Sequence, residues 1–209
     1  MRIIISARAG SKGLPFKNRK LFKYTADTIP DIMKHKTYVA TDDEEIKLMA
    51  IKAGFKALHR PNDLSQDETS TKAVMQHVIE QLDLKNETVV MLYLTYPERT
   101  WHNINNAIST YKSNDLRSLL CKKSLVTSPF LMLKAEPESR GSQLFYHDLY
   151  RRQDYPECFE ISHFISIFNS DELFKLNNNL YSSDTYFMEI SEKTIDVDEK
   201  KDLDRFERG

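Results

Sequence analysis

The chain has 209 residues, a formal net charge of −1, 40% hydrophobic and 29% charged side chains. That size can bury a sizeable core, and the balance of apolar to charged residues excludes an intrinsically disordered chain. Near-neutrality removes any global attraction to nucleic acid or to an anionic membrane, so a polyanion must be held by a local cluster of cations. Neither nucleic acid nor membrane is therefore expected as a partner. No apolar run approaches the length of a membrane span, and the opening Met1-Arg2-Ile3-Ile4-Ile5-Ser6 lacks a signal-peptide layout. Cys121 and Cys158 are the only cysteines. Two reduced thiols in a cytoplasmic protein are the expectation, with a disulfide left open.

In chain order, Arg2 to Ala7 is a short β-branched run ending in a Gly/Ser/Lys-rich turn, the pattern of a buried strand with a loop at its C-terminal end. Thr37 to Thr41 reads as a second strand. Asp42 and Asp43 can then cap a helix whose apolar face is Ile46, Met49, Ala50 and Ala53. Gly54 stops that helix, and Phe55 to Leu58 is extended. The pattern predicts a further helix from about Ser70 to Leu82. Thr88 to Leu94 is nearly continuous apolar chain, as in a central parallel strand covered on both faces. Thr100 can open a helix with the buried stripe Ile104, Ala107, Ile108 and Tyr111. Strands alternating with helices predict an α/β fold with a doubly wound, mainly parallel sheet.

The second half is less regular. Pro129, Pro137, Gly141 and Pro156 punctuate it, and aromatic residues crowd the stretch from Phe145 to Phe187. Ile161 to Phe168 and Thr185 to Ile190 read as strands with a short helix, Asp171 to Leu176, between them. Thr194 to Val197 reads as a last strand before a charged helix. A single domain over 1–209 is expected, carrying a β-rich excursion over about 125–187.

The segment Ser6-Ala7-Arg8-Ala9-Gly10-Ser11-Lys12-Gly13-Leu14-Pro15-Phe16-Lys17-Asn18 follows the first strand, at the edge of an open α/β sheet where ligands bind. Gly10 and Gly13 let the backbone turn tightly and bring N–H groups close to a phosphate. Arg8, Lys12 and Lys17 add three cations to an otherwise neutral protein. Directional donors plus positive charge are what a nucleoside triphosphate requires. The segment is neither G-x-x-x-x-G-K-[ST] nor G-x-G-x-x-G. On chemistry alone, a solvated basic turn stays open as the alternative.

The string Ala-Arg-x-x-Ser-Lys-Gly-Leu-Pro-x-Lys-Asn within it resembles the signature of the acylneuraminate cytidylyltransferases, the CMP-sialic acid synthetase family. Further pieces follow in the family's order: Ala40-Thr41-Asp42-Asp43-Glu44-Glu45-Ile46, the Arg60-Pro61 loop running to Thr71, Arg151-Arg152-Gln153-Asp154-Tyr155-Pro156, and Ile195-Asp196-Val197-Asp198. The resemblance thus covers nearly the whole chain. It implies a Rossmann-like nucleotidyltransferase that joins CTP to an acidic 2-keto-3-deoxy sugar with Mg²⁺, releasing CMP-sugar and pyrophosphate. It implies that Arg8 and Lys17 contact the triphosphate and serve catalysis, with Ser11, Lys12 and Gly13 completing the cradle. Asn18 would help hold the nucleotide, Arg60 and Thr71 would line its ribose or cytosine side, and Arg152 would pair with the sugar carboxylate. Asp196 and Asp198 would hold the metal. Their i, i+2 spacing puts both carboxylates on one side of a strand, although Asp-x-Asp also arises by chance in an acidic tail. The family is typically dimeric through the excursion, so a homodimer is expected.

The sequence departs from the family on the sugar side. The family's Leu-Gln-Pro-Thr-Ser-Pro-Leu-Arg-Thr reads here Leu92-Tyr93-Leu94-Thr95-Tyr96-Pro97-Glu98-Arg99-Thr100, which puts Tyr93 where a sugar-binding Gln is expected. The expected Asn-Gly reads Ser162-His163, making His163 either a replacement sugar contact or a core histidine, with the core role favoured. The stretch between Asn18 and Thr41 is shorter than usual, which predicts a smaller helix beside the base pocket. A changed acceptor is the direct inference; another acidic sugar such as a ketodeoxyoctulosonate, or a catalytically silent nucleotide-binding paralogue, are the alternatives.

Overall fold

The computed structural model describes residues 1–190 and 194–208. Its first half alternates β1 (Arg2–Ser6), α1 (Lys17–Thr28), α2 (Asp31–Lys34), β2 (Thr37–Thr41), α3 (Glu44–Lys52), β3 (Lys56–His59), α4 (Thr71–Gln81), β4 (Thr88–Tyr93) and α5 (Trp101–Ser113). The second half runs β5 (Ser118–Ser124), β6 (Leu133–Glu136), β7 (Arg140–Gln143), β8 (Phe159–Asn169), β9 (Tyr186–Glu189) and α6 (Lys200–Arg208). Among the described residues no helix is long and apolar enough to cross a membrane.

The β-branched run of β1 becomes the centre of the molecule. Ile3, Ile4 and Ile5 are fully buried, and β1 pairs in parallel with β2 on one side and β4 on the other. Successive strand residues point to opposite faces. Ile3, Ile5, Val90 and Leu92 pack with α1, α3 and α5, whereas Ile4, Val89 and Met91 pack with α4 and the 173–180 segment. Each buried Ile, Leu or Val contributes about 1.5–3 kcal/mol, against about 0–1 for an exposed ion pair, so these two layers decide the fold.

The sheet order is β3-β2-β1-β4-β8-β5-β9. β8 runs antiparallel to both β4 and β5, and β9 returns parallel to β5. The expected α/β, doubly wound, mainly parallel sheet is therefore present, with one reversed strand inside it. The chain leaves β1 toward β2 and β3, then crosses back to place β4 on β1's other side. That reversal opens a crevice beyond the C-terminal ends of β1 and β4, where ligands bind in such sheets.

Local capping agrees with the sequence. Asp43 accepts the N–H groups of Glu45 and Ile46 at the start of α3, Ser70 caps α4, and Thr100 and Asn103 cap α5 reciprocally. Asp42 does not cap; it binds the loop after β1 instead, described below. Burial works against the Asp43 carboxylate, but the Arg19 guanidinium and those N–H donors prevail and hold its pKa below the usual value. A lowered carboxylate pKa stabilises the fold above the unfolded-state pKa, and that stability is lost as pH falls through the folded-state value. Asp43→Ala is thus expected to cost about 1–2 kcal/mol at pH 7. Denaturant titrations should show the gap from wild type closing below about pH 4.

Four sequence expectations need correction. Helix α1 was expected only as a shortened helix somewhere between Asn18 and Thr41, without bounds; its buried Leu21, Phe22, Thr25 and Ala26 are embedded among Lys and Arg, and no side chain caps it. Strand β5 was missed, its short apolar Leu119-Leu120-Cys121 being flanked by Ser and Lys. Thr194 to Val197 is not a strand: both edges of neighbouring β4 are occupied, by β1 and β8, and the segment's backbone meets the chain after β4 through Val197 N–H to Thr95 O (2.8 Å). The 125–187 excursion is narrower, because β8 and β9 belong to the main sheet. What leaves the sheet is 125–158, where β6 and β7 form a separate antiparallel pair.

Candidate active site

The loop after β1 is held from three directions. Ala7 N–H bonds the Ala40 carbonyl of β2 (3.0 Å), Asp42 Oδ1 accepts Ala9 N–H (2.8 Å), and Asn18 Nδ2 donates to the Arg8 carbonyl (2.8 Å). Phe16 adopts a left-handed φ of 57° and hands the chain into α1, whose first residues are Lys17 and Asn18. The N-terminus of a 12-residue helix with no acidic residue in its first turn therefore opens beside the loop.

A cleft of about 270 Å³ lies at this edge of the sheet. Arg8, Gly10, Ser11, Lys17 and Asn18 of the loop and α1 line one side. Asp196 and Asp198, from the far end of the chain, line the same cleft, as do Arg60, Thr71 and Tyr93. Lys17 Nζ donates to Asp198 Oδ1 (2.7 Å), joining the two ends directly. The two carboxylates meet without the strand geometry expected of them, on an irregular segment.

Three expected residues act differently from expectation. Lys12 points out of the loop to Asp67 rather than forming the wall. Gly13 backs onto the late segment: a Cβ there would lie 2.5 Å from the Asp198 carbonyl oxygen. Its φ is not left-handed, so close approach explains the glycine, not a tight turn. Arg152 lies in an exposed 3₁₀ turn, Arg152–Asp154, and is absent from this cleft. That turn belongs to the 125–158 excursion, which does not fold over the chain's own site.

Arg60 and Thr71 brace the wall as well as line it. Arg60 is 4% exposed, with Nε donating to the Leu64 carbonyl (2.7 Å) and Nη1 to Ser6 Oγ (3.2 Å). Burial lowers its pKa. The Thr71 hydroxyl bonds the Tyr93 phenol. Burial raises the Tyr93 pKa, opposed by that hydrogen bond, so the phenol stays protonated at neutral pH. His163 meets Tyr93 edge-on, centroids 5.6 Å apart, and lines the cleft. The favoured core role is corrected accordingly: His163 is half-buried, part of the site wall, and neutral at pH 7 because burial lowers its pKa against the pull of Asp196.

Asp67 is the residue that sequence reasoning overlooked. Its two oxygens take Arg8 Nη1 and Lys12 Nζ, each at 2.5 Å, and hydrogen bonds from Lys12 and Arg8 pull its pKa down. The Arg60-to-Thr71 motif named it, but without a role of its own. On the cleft wall Arg8, Lys17 and Arg60 thus stand against Asp67, Asp196 and Asp198. The positive loop is locally neutralised.

Arg99, buried behind the site, also went unassigned. It donates to the carbonyls of Phe164 and Tyr93 (2.7 Å each) and to Thr25 Oγ1 (3.3 Å), tying β8, β4 and α1 together. Burial lowers its pKa to about 10, which leaves it charged at neutral pH.

A family model described as "Cytidylyltransferase" matches residues 2–207. An N-acylneuraminate cytidylyltransferase of Streptococcus agalactiae serotype V is 27% identical over 96% of this chain and 51% of its own length. The chain thus spans about half the length of that curated relative. A pseudaminic acid cytidylyltransferase of Campylobacter jejuni is 37% identical over 45% of each chain. The structure of a CMP:2-keto-3-deoxy-manno-octonic acid synthetase complexed with CTP superposes with a TM-score of 0.70 at 16% identity, covering 99% of this chain and 96% of that one. The fold, the loop signature and the family match over nearly every residue agree: the chain belongs to the cytidylyltransferase family, with acylneuraminate cytidylyltransferases among its relatives.

Proposed function

We propose that the chain transfers the cytidylyl group of CTP to an acidic 2-keto-3-deoxy sugar of the nonulosonate type, giving a CMP-sugar and pyrophosphate. The observation that carries this reading is the convergence, in one cleft, of Arg8, Ser11, Lys17 and Asn18 with Asp196 and Asp198. The sugar's anomeric oxygen would form a bond to the α-phosphorus as the bond to the bridging oxygen breaks. The hydroxyl proton would pass to solvent, and pyrophosphate would leave. Such a reaction asks for in-line placement and charge neutralisation more than covalent chemistry. Lys17 and Arg8 would balance the phosphate charge, and Asn18 would keep the loop in shape by its bond to the Arg8 carbonyl.

The charge balance argues for a cation brought with the substrate. A cleft whose cations and carboxylates cancel attracts a triphosphate poorly. Among the described residues no three acidic, His or Cys side chains form a metal cluster. Asp196 and Asp198 nevertheless fit Mg²⁺, which commonly takes one or two carboxylates and fills its shell with phosphate oxygens and water. When bound, Mg²⁺ would neutralise phosphate charge and acidify the attacking hydroxyl.

Tyr93 and His163 would face the acceptor, so the sugar differs from those read by a Gln and an Asn. We further propose a cytoplasmic homodimer. The excursion exposes Leu131, Leu133, Phe145, Tyr146 and Tyr150 for a second copy to cover. Arg152 would then serve the partner's site or none.

Pyrophosphate release with CTP, Mg²⁺ and a panel of keto-acid sugars tests the reading; turnover with one acidic sugar is expected. CTP binding without turnover on any sugar would select the silent paralogue, and no CTP binding would end the nucleotide reading. Asp67→Asn, which frees Arg8 and Lys12, is expected to tighten CTP binding about 3- to 10-fold at low salt. Calorimetry should show that gain shrinking as salt is raised.

A further inference from the structure

The segment carrying Asp196 and Asp198 has no regular structure, yet one short loop fixes its position. Between β4 and α5, the Thr95 carbonyl accepts Val197 N–H at 2.8 Å, the Tyr96 phenol donates to Asp196 Oδ2 at 2.9 Å, and Glu98 Oε1 accepts Ile195 N–H. Three consecutive residues of the late segment are thus each bonded to this loop. The Val197 side chain is fully buried beneath them.

Tyr96 is well placed to dictate an orientation. It is 5% exposed, and its ring stands edge-on to Phe164, centroids 5.5 Å apart and planes at 88°. The ring cannot swing, so its hydroxyl has one direction. Committing Oδ2 to Tyr96 fixes the carboxylate's rotation and therefore the direction of Oδ1. Where this chain has Tyr96 and Glu98, the family signature has Ser and Leu. The clamp does not come with the signature.

Resting on the reading of this cleft given above, we propose that Tyr96 and Glu98 are positioning residues that hold the Asp196–Asp198 segment for a divalent cation carried on the nucleotide phosphates. Partners of a ligating carboxylate act in this way: removing one costs about 10- to 100-fold in metal affinity or activity while the ligand itself stays in place.

The test is CTP binding by titration calorimetry, in Mg²⁺ and in EDTA, for wild type, Asp196→Asn, Tyr96→Phe, Glu98→Ala and Glu98→Gln. Tyr96→Phe keeps the ring against Phe164 and removes the hydroxyl that donates to Asp196 and is also bonded by Ser162. Tyr96→Phe and Glu98→Ala are expected to bind CTP in EDTA within about twofold of wild type, with the Mg²⁺-dependent gain in affinity reduced about 10-fold or more. Glu98→Gln retains an acceptor for Ile195 N–H and should retain the gain. If Tyr96→Phe and Glu98→Ala keep the full gain while Asp196→Asn loses it, the cleft reading stands and the positioning role is overturned. If wild type itself shows no Mg²⁺-dependent gain, the metal reading fails and the positioning role fails with it. Should Tyr96→Phe not fold, the Glu98→Ala and Glu98→Gln pair decides the question alone.

Discussion

Lys17→Ala is expected to lower the rate of pyrophosphate release by about 10²- to 10³-fold, the usual cost of removing one preorganised charge donor at a phosphoryl centre. The size follows from where Lys17 sits. Its side chain is only 14% exposed, it begins α1 beside the loop, and its ammonium reaches Asp198 from across the cleft. The variant loses a cation that low exposure makes effective and strands the Asp198 carboxylate facing the same phosphates. Folding should be little affected, since Asp198 is 69% exposed and such a pair is worth about 0–1 kcal/mol. The thermal midpoint should therefore stay within a few degrees of wild type while turnover collapses. Lys17→Arg should recover only part of the activity, because a planar fork cannot replace a compact point charge. Turnover of Lys17→Ala within about threefold of wild type would remove Lys17 from the machinery.

Much of the site was legible because its signals are local. Asp43, Ser70 and Thr100 announce helix starts through bonds to N–H groups two or three residues on, so a window of a few residues holds the information. Continuous apolar runs at 3–5 and 89–92 likewise identify strands buried on both faces. The residues of the loop after β1 share one short segment, and their common location needs no tertiary knowledge. Failures came where partners are distant. Asp67 is a motif residue without a role until Arg8 and Lys12 are seen to grip it. Asp196 and Asp198 were sought on a strand, but β4 has no free edge, and it is the side chains of Tyr96 and Glu98 that seat them. Helix α1 hides its apolar face among cations and carries no cap. Arg152 is absent from the chain's own cleft for a different reason: motif order along a chain does not say which surface a protruding excursion faces.

Gly13 and Gly10, three residues apart in one loop, should respond oppositely to alanine, and the contrast separates two reasons for a glycine. At Gly13 an added Cβ would meet the Asp198 carbonyl oxygen at 2.5 Å and its carbon at 3.3 Å. That oxygen belongs to backbone, so either the loop or the late segment must retreat. At Gly10 the nearest atom to a Cβ is Arg8 Nη1 at 3.9 Å, an ordinary contact with a flexible side chain. Gly13→Ala is therefore expected to destabilise the fold by about 1–3 kcal/mol, the cost of overpacking. It should lower turnover about 10²-fold, because a shift of about 1 Å between Lys17 and Asp198 misaligns the reacting groups. Gly10→Ala should leave stability within about 0.5 kcal/mol of wild type. Hydrogen exchange reads the difference without any substrate: the Val197 amide, bonded to the Thr95 carbonyl, should exchange faster in Gly13→Ala and at the wild-type rate in Gly10→Ala. Equal Val197 protection in both variants would mean that the late segment does not press on the loop, and that Lys17 and Asp198 meet by side-chain reach alone.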